Sequence, residues 1–429
     1  SPKKFSAGQY SLYPYGIFRS FDKILALDKA GNVVYLGSRK FPYAVLANIT
    51  ESCHIGCDGC YKGSMVRTTL LALETIDSEK AKLKKQLSIV AERAVLQARL
   101  LAMWLNNHSE VDTVIVSGGE PTLFSNQALK QVFEEYKKAK FVRVVRVCTS
   151  SIFQGMWYRV DDGFVDFLSA FERESGKKVY VNAHVTDEFQ LGAPEAAMAL
   201  KKIQSRGLLV CLQMPLQQGI NFDRNDLEWS VKKLKSICKR SYGLGVIPYK
   251  LILDMHSPTN PDATVPIEVV CKAISFLDSH LDHSDHERWQ AYNILHPQGN
   301  LYLSSWPHFS AVKEIDVEKK LVTYFIPKTE YAGGRKISVH TYFEPLIAGM
   351  NDDVNSLGKI GDIEVLEKIK LVKTAYSDFK AGLEEALKLS GFSERQKRIE
   401  ELTLEFYNIS GILLPKNEPL VVAGGLYEC

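Results

Sequence analysis

Cys53-His54-Ile55-Gly56-Cys57-Asp58-Gly59-Cys60 places three thiols on one short loop at C-x3-C-x2-C spacing, with Tyr61 and Lys62 directly behind. Thiolates so spaced can hold three irons of a four-iron cubane and leave the fourth iron without a protein ligand. That open iron is the chemical point. A structural zinc knuckle needs a fourth Cys or His at similar spacing, and His54, pressed between the thiols, is badly placed to supply one. The next motif is Ser117-Gly118-Gly119-Glu120-Pro121-Thr122, behind the apolar run 113–116. Two glycines at the end of a buried strand let backbone come close to a ligand, and Glu120 sets an acceptor there for an ammonium group.

The elements that must position these residues follow from periodicity. Apolar runs at 43–49, 113–116, 142–149, 178–184, 208–213 and 246–254 alternate with helical stretches near 78–106, 126–140, 164–174, 194–205 and 224–239. This is the pattern of a parallel sheet with crossover helices. The fold class expected is α/β: an open partial (β/α)6 barrel, with ligands gathered at the C-terminal ends of the strands as in complete barrels. Ahead of it, 22–38 reads as a hairpin turning over residues 29–32, and the aromatic 10–15 as a packed arm. The segment between Lys62 and Glu110 exceeds an ordinary crossover and reads as one extended helix.

Several strands end in polar side chains: Thr149, Ser150 and Ser151 on the third, Asn182 and His184 on the fourth, Gln213 on the fifth, Asp254 and His256 on the sixth. Polar groups closing apolar strands face a pocket or cap the next helix. His184 taken alone reads equally well as a satisfied core histidine. Beyond Asp254 the pattern changes. Pro258, Pro261 and Pro266 break the chain, a helix is expected over 267–277, and the His-rich 279–286 reads as a solvated loop rather than a metal site. Strands are expected at 299–304, 321–327 and 336–343, and amphipathic helices over 363–389 and 393–407 that pack or make a homo-oligomer contact. The expected domains are an arm and hairpin at 1–39, the partial barrel at 40–262, a strand region closing the site at 263–350 and a helical extension at 351–429.

The chain has 429 residues, 45% of them hydrophobic and 24% charged, and a net charge of +3, which is too balanced to imply a nucleic-acid or membrane surface. It starts at Ser1, which points to a missing native N-terminus; no stretch reads as a signal peptide or spans a bilayer. Cys148, Cys211, Cys238, Cys271 and Cys429 are scattered, which argues for a reducing, cytoplasmic setting and against a disulfide framework or a second cluster. Cys148 and Cys211 read as small buried hydrophobes.

The cysteine loop and the Gly-Gly-Glu-Pro turn together resemble the radical S-adenosylmethionine (SAM) superfamily. The resemblance implies a 4Fe-4S cluster on Cys53, Cys57 and Cys60, and SAM held at Ser117, Gly118, Gly119 and Glu120. It also implies a reductant such as flavodoxin or ferredoxin, and cleavage of SAM to a 5′-deoxyadenosyl radical. Within that superfamily, residues 40–254 resemble the lysine 2,3-aminomutase family, most densely in Val179-Tyr-Val-Asn182-Ala-His184, Gln213-Met-Pro-Leu216-Gln-Gln-Gly219-Ile-Asn221 and Pro248-Tyr249-Lys-Leu-Ile-Leu-Asp254. Members move an amino group from the α- to the β-carbon of an amino acid with pyridoxal phosphate (PLP) as carrier. The resemblance thus implies an amino-acid-like small-molecule substrate, and Thr149, His184 and Gln213, at their strand ends, are expected among the cofactor-binding residues.

Carried over position by position, Lys336 behind Gly333-Gly334-Arg335 matches the lysine that takes the PLP aldehyde, although the glycine run is shorter and Arg335 interrupts it. Lys40 matches one of two phosphate-binding arginines, and Ala44 falls where the other would be. Lys62 matches a basic position near an active-site carboxylate. Asp254 matches the acid that grips a distal ammonium, and a second such aspartate is replaced by Thr329 and Glu330. The expectation is an aminomutase-like radical SAM enzyme. The alternatives are a PLP-independent radical SAM epimerase, dehydrogenase or rearranging enzyme, and a non-catalytic metal-cluster module.

Overall fold

The structure, a computed structural model, describes residues 23–28, 30–41, 43–55, 67–68, 77–253, 265–279, 289–294, 301–304, 308–330, 334–357, 359–412 and 421–422. It divides into two compact units, one of Lys23–Ala263 with His280–Asn293 and Pro419–Cys429, the other of Ser1–Asp22, Thr264–Ser279 and Ile294–Glu418.

In the first unit β1 (Lys23–Leu27) and β2 (Val33–Phe41) form the expected hairpin, whose turn is held where Asp28 accepts from the amides of Ala30 and Asn32 at 2.9 and 2.8 Å. β2 pairs antiparallel with β3 (Ala44–Thr50). From β3 onward the neighbours run parallel: β4 (Thr113–Gly118), β5 (Val144–Thr149), β6 (Lys178–His184), β7 (Leu209–Leu216) and β8 (Ile247–Leu253). Spatial order equals chain order, with β9 (Ala291–Ile294) outside β8. A parallel neighbour requires a crossover. The crossovers carry α1 (Asp77–Leu105), α2 (Asn126–Lys137), α3 (Asp162–Ser175), α4 (Pro194–Ser205) and α5 (Leu227–Gly243). Ser125, Asp161 and Asp226 start α2, α3 and α5 by accepting an amide hydrogen bond at the N-cap, which is why those helices begin there.

Strand alternation gives the sheet two different faces. Val45, Val114, Val116, Val145, Val147, Val179, Val181, Val210, Leu212, Leu251 and Leu253 are buried on one. The other carries Asn48, Ser117, Arg146, Cys148, Asn182, His184, Cys211, Gln213 and Lys250, aligned by the strand register. That polar face is concave. Arg146 Nη1 donates to the Tyr249 hydroxyl at 3.0 Å across two intervening strands, and Lys250 Nζ lies 5.7 Å from the Phe41 ring centroid across five. In a flat sheet with about 4.8 Å between strands, β8 and β2 would be about 29 Å apart.

The second unit holds α6 (Ile267–Ser279) and the antiparallel meander β10 (Val312–Asp316), β11 (Leu321–Glu330) and β12 (Lys336–Pro345). α7 (Ile363–Lys388) and α8 (Phe392–Ser410) pack on it through Phe325, Val339, Phe343, Val372, Tyr376 and Phe406. Among the described residues no helix is long and apolar enough to cross a membrane.

The periodic expectations for the six parallel strands and their helices agree with the structure to within a few residues. Three others differ. In the segment between Lys62 and Glu110, read as one extended helix, Arg67–Thr68 instead makes a short parallel pairing with Ser52–Cys53, while α1 covers the helix expected near 78–106. β9 and β10 had no sequence signal, because Ala-Tyr-Asn-Ile is short and Val-Lys-Glu-Ile-Asp carries three charges. Of the run at 299–304, the described strand is Leu301–Tyr302.

Candidate functional site

β4 ends at Gly118, whose φ of +141° is one that side-chain-bearing residues rarely adopt. A Cβ there would lie 2.2 Å from the Thr50 carbonyl oxygen, and one on Gly119 would lie 2.0 Å from that of Ser52. The amides use this closeness: Gly119 donates to Thr50 O at 2.6 Å and Glu120 to Ser52 O at 2.7 Å. The glycines therefore let the turn close on the backbone that enters the cysteine loop. The two sequence motifs, more than sixty residues apart, meet at Ser52.

Glu120 follows with 1% of its surface exposed. A carboxylate buried this deeply must be hydrogen-bonded. Its Oε1 accepts from the Thr122 and Thr149 hydroxyls at 2.8 and 2.7 Å, and its Oε2 from the Ser150 amide and hydroxyl at 2.8 and 2.6 Å. Ser151 Oγ sits 2.6 Å from Thr122 Oγ1 behind them. The polar end of β5 thus gathers on Glu120, and Thr149 spends its hydroxyl there.

Two histidines share this neighbourhood. His54 is buried, its Nε2 3.3 Å from the Gln154 carbonyl and its Nδ1 without a partner among the described residues. Burial pushes its pKa down, opposed by the negative charge of Glu120. His184 closes β6 with its Nε2 sealed and without a partner among the described residues, and burial pushes its pKa down to about 4 against the same opposing charge. His184 is therefore a neutral imidazole near neutral pH. Gln213 is the register partner of His184, and the nearby Asn182 Oδ1 is buried without a partner among the described residues. His54 and Gln154 lie one hundred residues apart, and no sequence pattern marks that contact.

Cys53 is partly exposed in its pairing with Arg67–Thr68. Cys57, Cys60, Lys62, Asp254 and the His-rich tract after Ser279 lie outside the described residues, as does the side chain of Lys40. Lys336 is exposed at the start of β12 in the second unit. Arg335 beside it pairs with Asp362 and, at 3.1 Å, with Glu364, while Lys336 has no ion pair among the described residues.

No family model matches the chain. Curated relatives do. One from Aquifex aeolicus, named "Putative L-lysine 2,3-aminomutase", is 24% identical over 230 residues, 53% of this chain and 54% of that protein. A glutamate 2,3-aminomutase of Clostridioides difficile is 24% identical over 187 residues, 44% of this chain and 38% of that protein. An L-lysine 2,3-aminomutase of Methanococcus maripaludis is 20% identical over 307 residues, 70% and 62% of the two chains. The chain resembles the lysine 2,3-aminomutase family. The chain spans about half the length of the first aminomutase relatives it matches.

Proposed function

We propose that the protein is a radical SAM enzyme of the aminomutase type, acting on an amino-acid-like small molecule. The observation that carries the reading is the fastening of the Gly118-Gly119-Glu120 turn to Ser52, which brings an anionic turn against the start of the cysteine loop. In this reading the concave parallel sheet is an open partial (β/α)6 barrel, supported by the contacts of Arg146 with Tyr249 and of Lys250 with Phe41.

Cys53, Cys57 and Cys60 would hold three irons, and Ser117, Gly118, Gly119 and Glu120 the methionine end of SAM. A reduced cluster held there would supply one electron for cleavage of SAM to methionine and a carbon radical that could take hydrogen from the substrate. This chain's own residues position and shield. Hydroxyl and amide donors fix both oxygens of Glu120 and so hold its carboxyl group in place at the turn. His184, neutral, can donate or accept one hydrogen bond without adding charge, and Gln213 extends the same polar row. Lys62 and Asp254 are assigned to the carboxylate and a distal ammonium of the substrate. Relatives named for lysine and for glutamate leave the side-chain class open between cationic and anionic. A ferredoxin- or flavodoxin-like donor supplies the electron.

Anaerobically reconstituted protein should contain iron and sulfide and cleave SAM when reduced, and Cys57→Ala should abolish both. Protein that takes up no labile sulfide, or SAM cleavage that survives in Cys57→Ala, overturns the assignment.

PLP on Lys336 is the aminomutase form of the proposal. The engagement of Arg335 with Asp362 and Glu364, and the exposure of Lys336, favour a second form that keeps the radical chemistry and leaves Lys336 as a surface lysine. Borohydride reduction after PLP addition, followed by peptide mapping, separates the two. A stoichiometric adduct on Lys336 supports the first, and none supports the second.

A further inference from the structure

The concave face of the parallel strands carries two cations that neither motif uses. Lys250, in the middle of β8, is 6% exposed. It makes no hydrogen bond or ion pair among the described residues; its Nζ lies 4.8 Å from the Tyr249 ring centroid and 5.7 Å from that of Phe41, with the Cys148 thiol and Arg146 also within electrostatic reach. Arg146, on β5, reaches the same ring, its guanidinium carbon 5.6 Å from the Tyr249 centroid and its Nη1 on the Tyr249 hydroxyl. No carboxylate faces either group among the described residues.

A second feature shows that the arrangement is built. The β7–β8 register shifts between Pro248 and Lys250, so Tyr249 is an extra residue in the ladder. A bulge re-aims side chains, and here it turns both Tyr249 and Lys250 toward the concave face. Lys250 falls in the register row of Gln213, which itself pairs with His184. Burying a cation costs several kcal/mol unless a counter-charge accompanies it, and a second cation beside it adds repulsion. Burial and the charge of Arg146 push the Lys250 amine down to about 8.

We infer that Arg146 and Lys250 form an oxyanion-binding site on the concave face of the sheet, for the phosphate-monoester or carboxylate group of a small ligand. The guanidinium supplies a planar fork of donors and the ammonium a point charge, the combination that suits either oxyanion. Lys250 is buried and Arg146 half-buried, and this partial removal from water strengthens both contacts. The inference needs neither the cysteine loop nor Lys336, and so stands or falls separately from the proposed function.

Calorimetric titration of the full chain with inorganic phosphate, methyl phosphate and acetate tests it, using wild type, Arg146→Met, Lys250→Met and the surface control Lys232→Met. Wild type and the control should bind at least one of these probes, and each interior variant should lose about tenfold or more in affinity. Preference for methyl phosphate over acetate assigns a phosphate ester, and the reverse a carboxylate. Thermal melts guard against misfolding: the bound probe should raise the wild-type midpoint by more than that of Lys250→Met at the same probe concentration. Should an interior variant fail to fold, the wild-type melt with and without probe decides. A wild type that binds none of the three probes, or interior variants that bind as wild type does, overturns the inference.

Discussion

The amide of Glu120 donates to the carbonyl oxygen of Ser52 at 2.7 Å, and this bond exists because Gly119 presents no side chain to the same oxygen. A methyl group at Gly119 would sit 2.0 Å from a backbone atom, which cannot swing away as a side chain could. Gly119→Ala should therefore cost about 2–3 kcal/mol of stability and lower the iron content after reconstitution. Urea unfolding and iron analysis check this, and wild-type values for both would show that the two segments are not rigidly joined.

Glu120→Gln keeps the shape of the side chain but points an amide N–H₂ at hydroxyl or amide donors. One of the two donor pairs, Thr122 with Thr149 or the two groups of Ser150, loses its acceptor. The expected loss is about 2–4 kcal/mol, together with weaker SAM binding. Equilibrium dialysis of SAM against the folded variant separates the two effects.

His184 gives a pH signature. Its folded pKa of about 4 lies below the ordinary 6.5, so the folded state binds fewer protons than the unfolded state between those values. Stability from this group is fully present above about pH 6.5 and is lost as pH falls toward 4, by up to about 3 kcal/mol. His184→Gln should flatten that part of the profile. A His184 ring resonance titrating near 6.5 in NMR would contradict it.

The second unit should show the opposite slope. Glu344 is buried and accepts from Tyr324, Asn351 and the Ile267 amide at 2.7, 3.0 and 2.9 Å, and burial raises its pKa to about 7 despite these bonds. The neighbouring Glu268 adds repulsion, although Lys313 holds it in a buried pair at 2.6 Å. Because the folded value lies above the ordinary 4.5, its contribution is full below about pH 4.5 and declines as pH rises through 7. Melting temperatures from pH 4.5 to 7.5 should show this decline, and Glu344→Gln should remove the slope while lowering the midpoint at pH 5.

The parallel sheet was legible because its signal is local. Each strand is a short apolar run bounded by a helix with its own cap, so residues 178–184 and 194–205 could be placed without knowing their neighbours. Glu120 was legible as a residue, yet its partners were not: Thr149 and Ser150 reach it from thirty residues away, through strand pairing that no spacing encodes. Lys250 shows the same limit. Inside an apolar run it reads as one charge on a strand, and only the bulge at Tyr249 and the curvature of the sheet bring it beside Arg146.

By itself, then, the sequence determined the element order, the cysteine spacing and the glycine pair, since these depend on backbone propensity and on ligand types a few residues apart. Tertiary structure alone decided that the glycine turn meets the chain at Ser52, that Glu120 is saturated with donors, and that two cations share one aromatic ring. Those outcomes depend on register and curvature, which arise when distant strands align and not from any one segment.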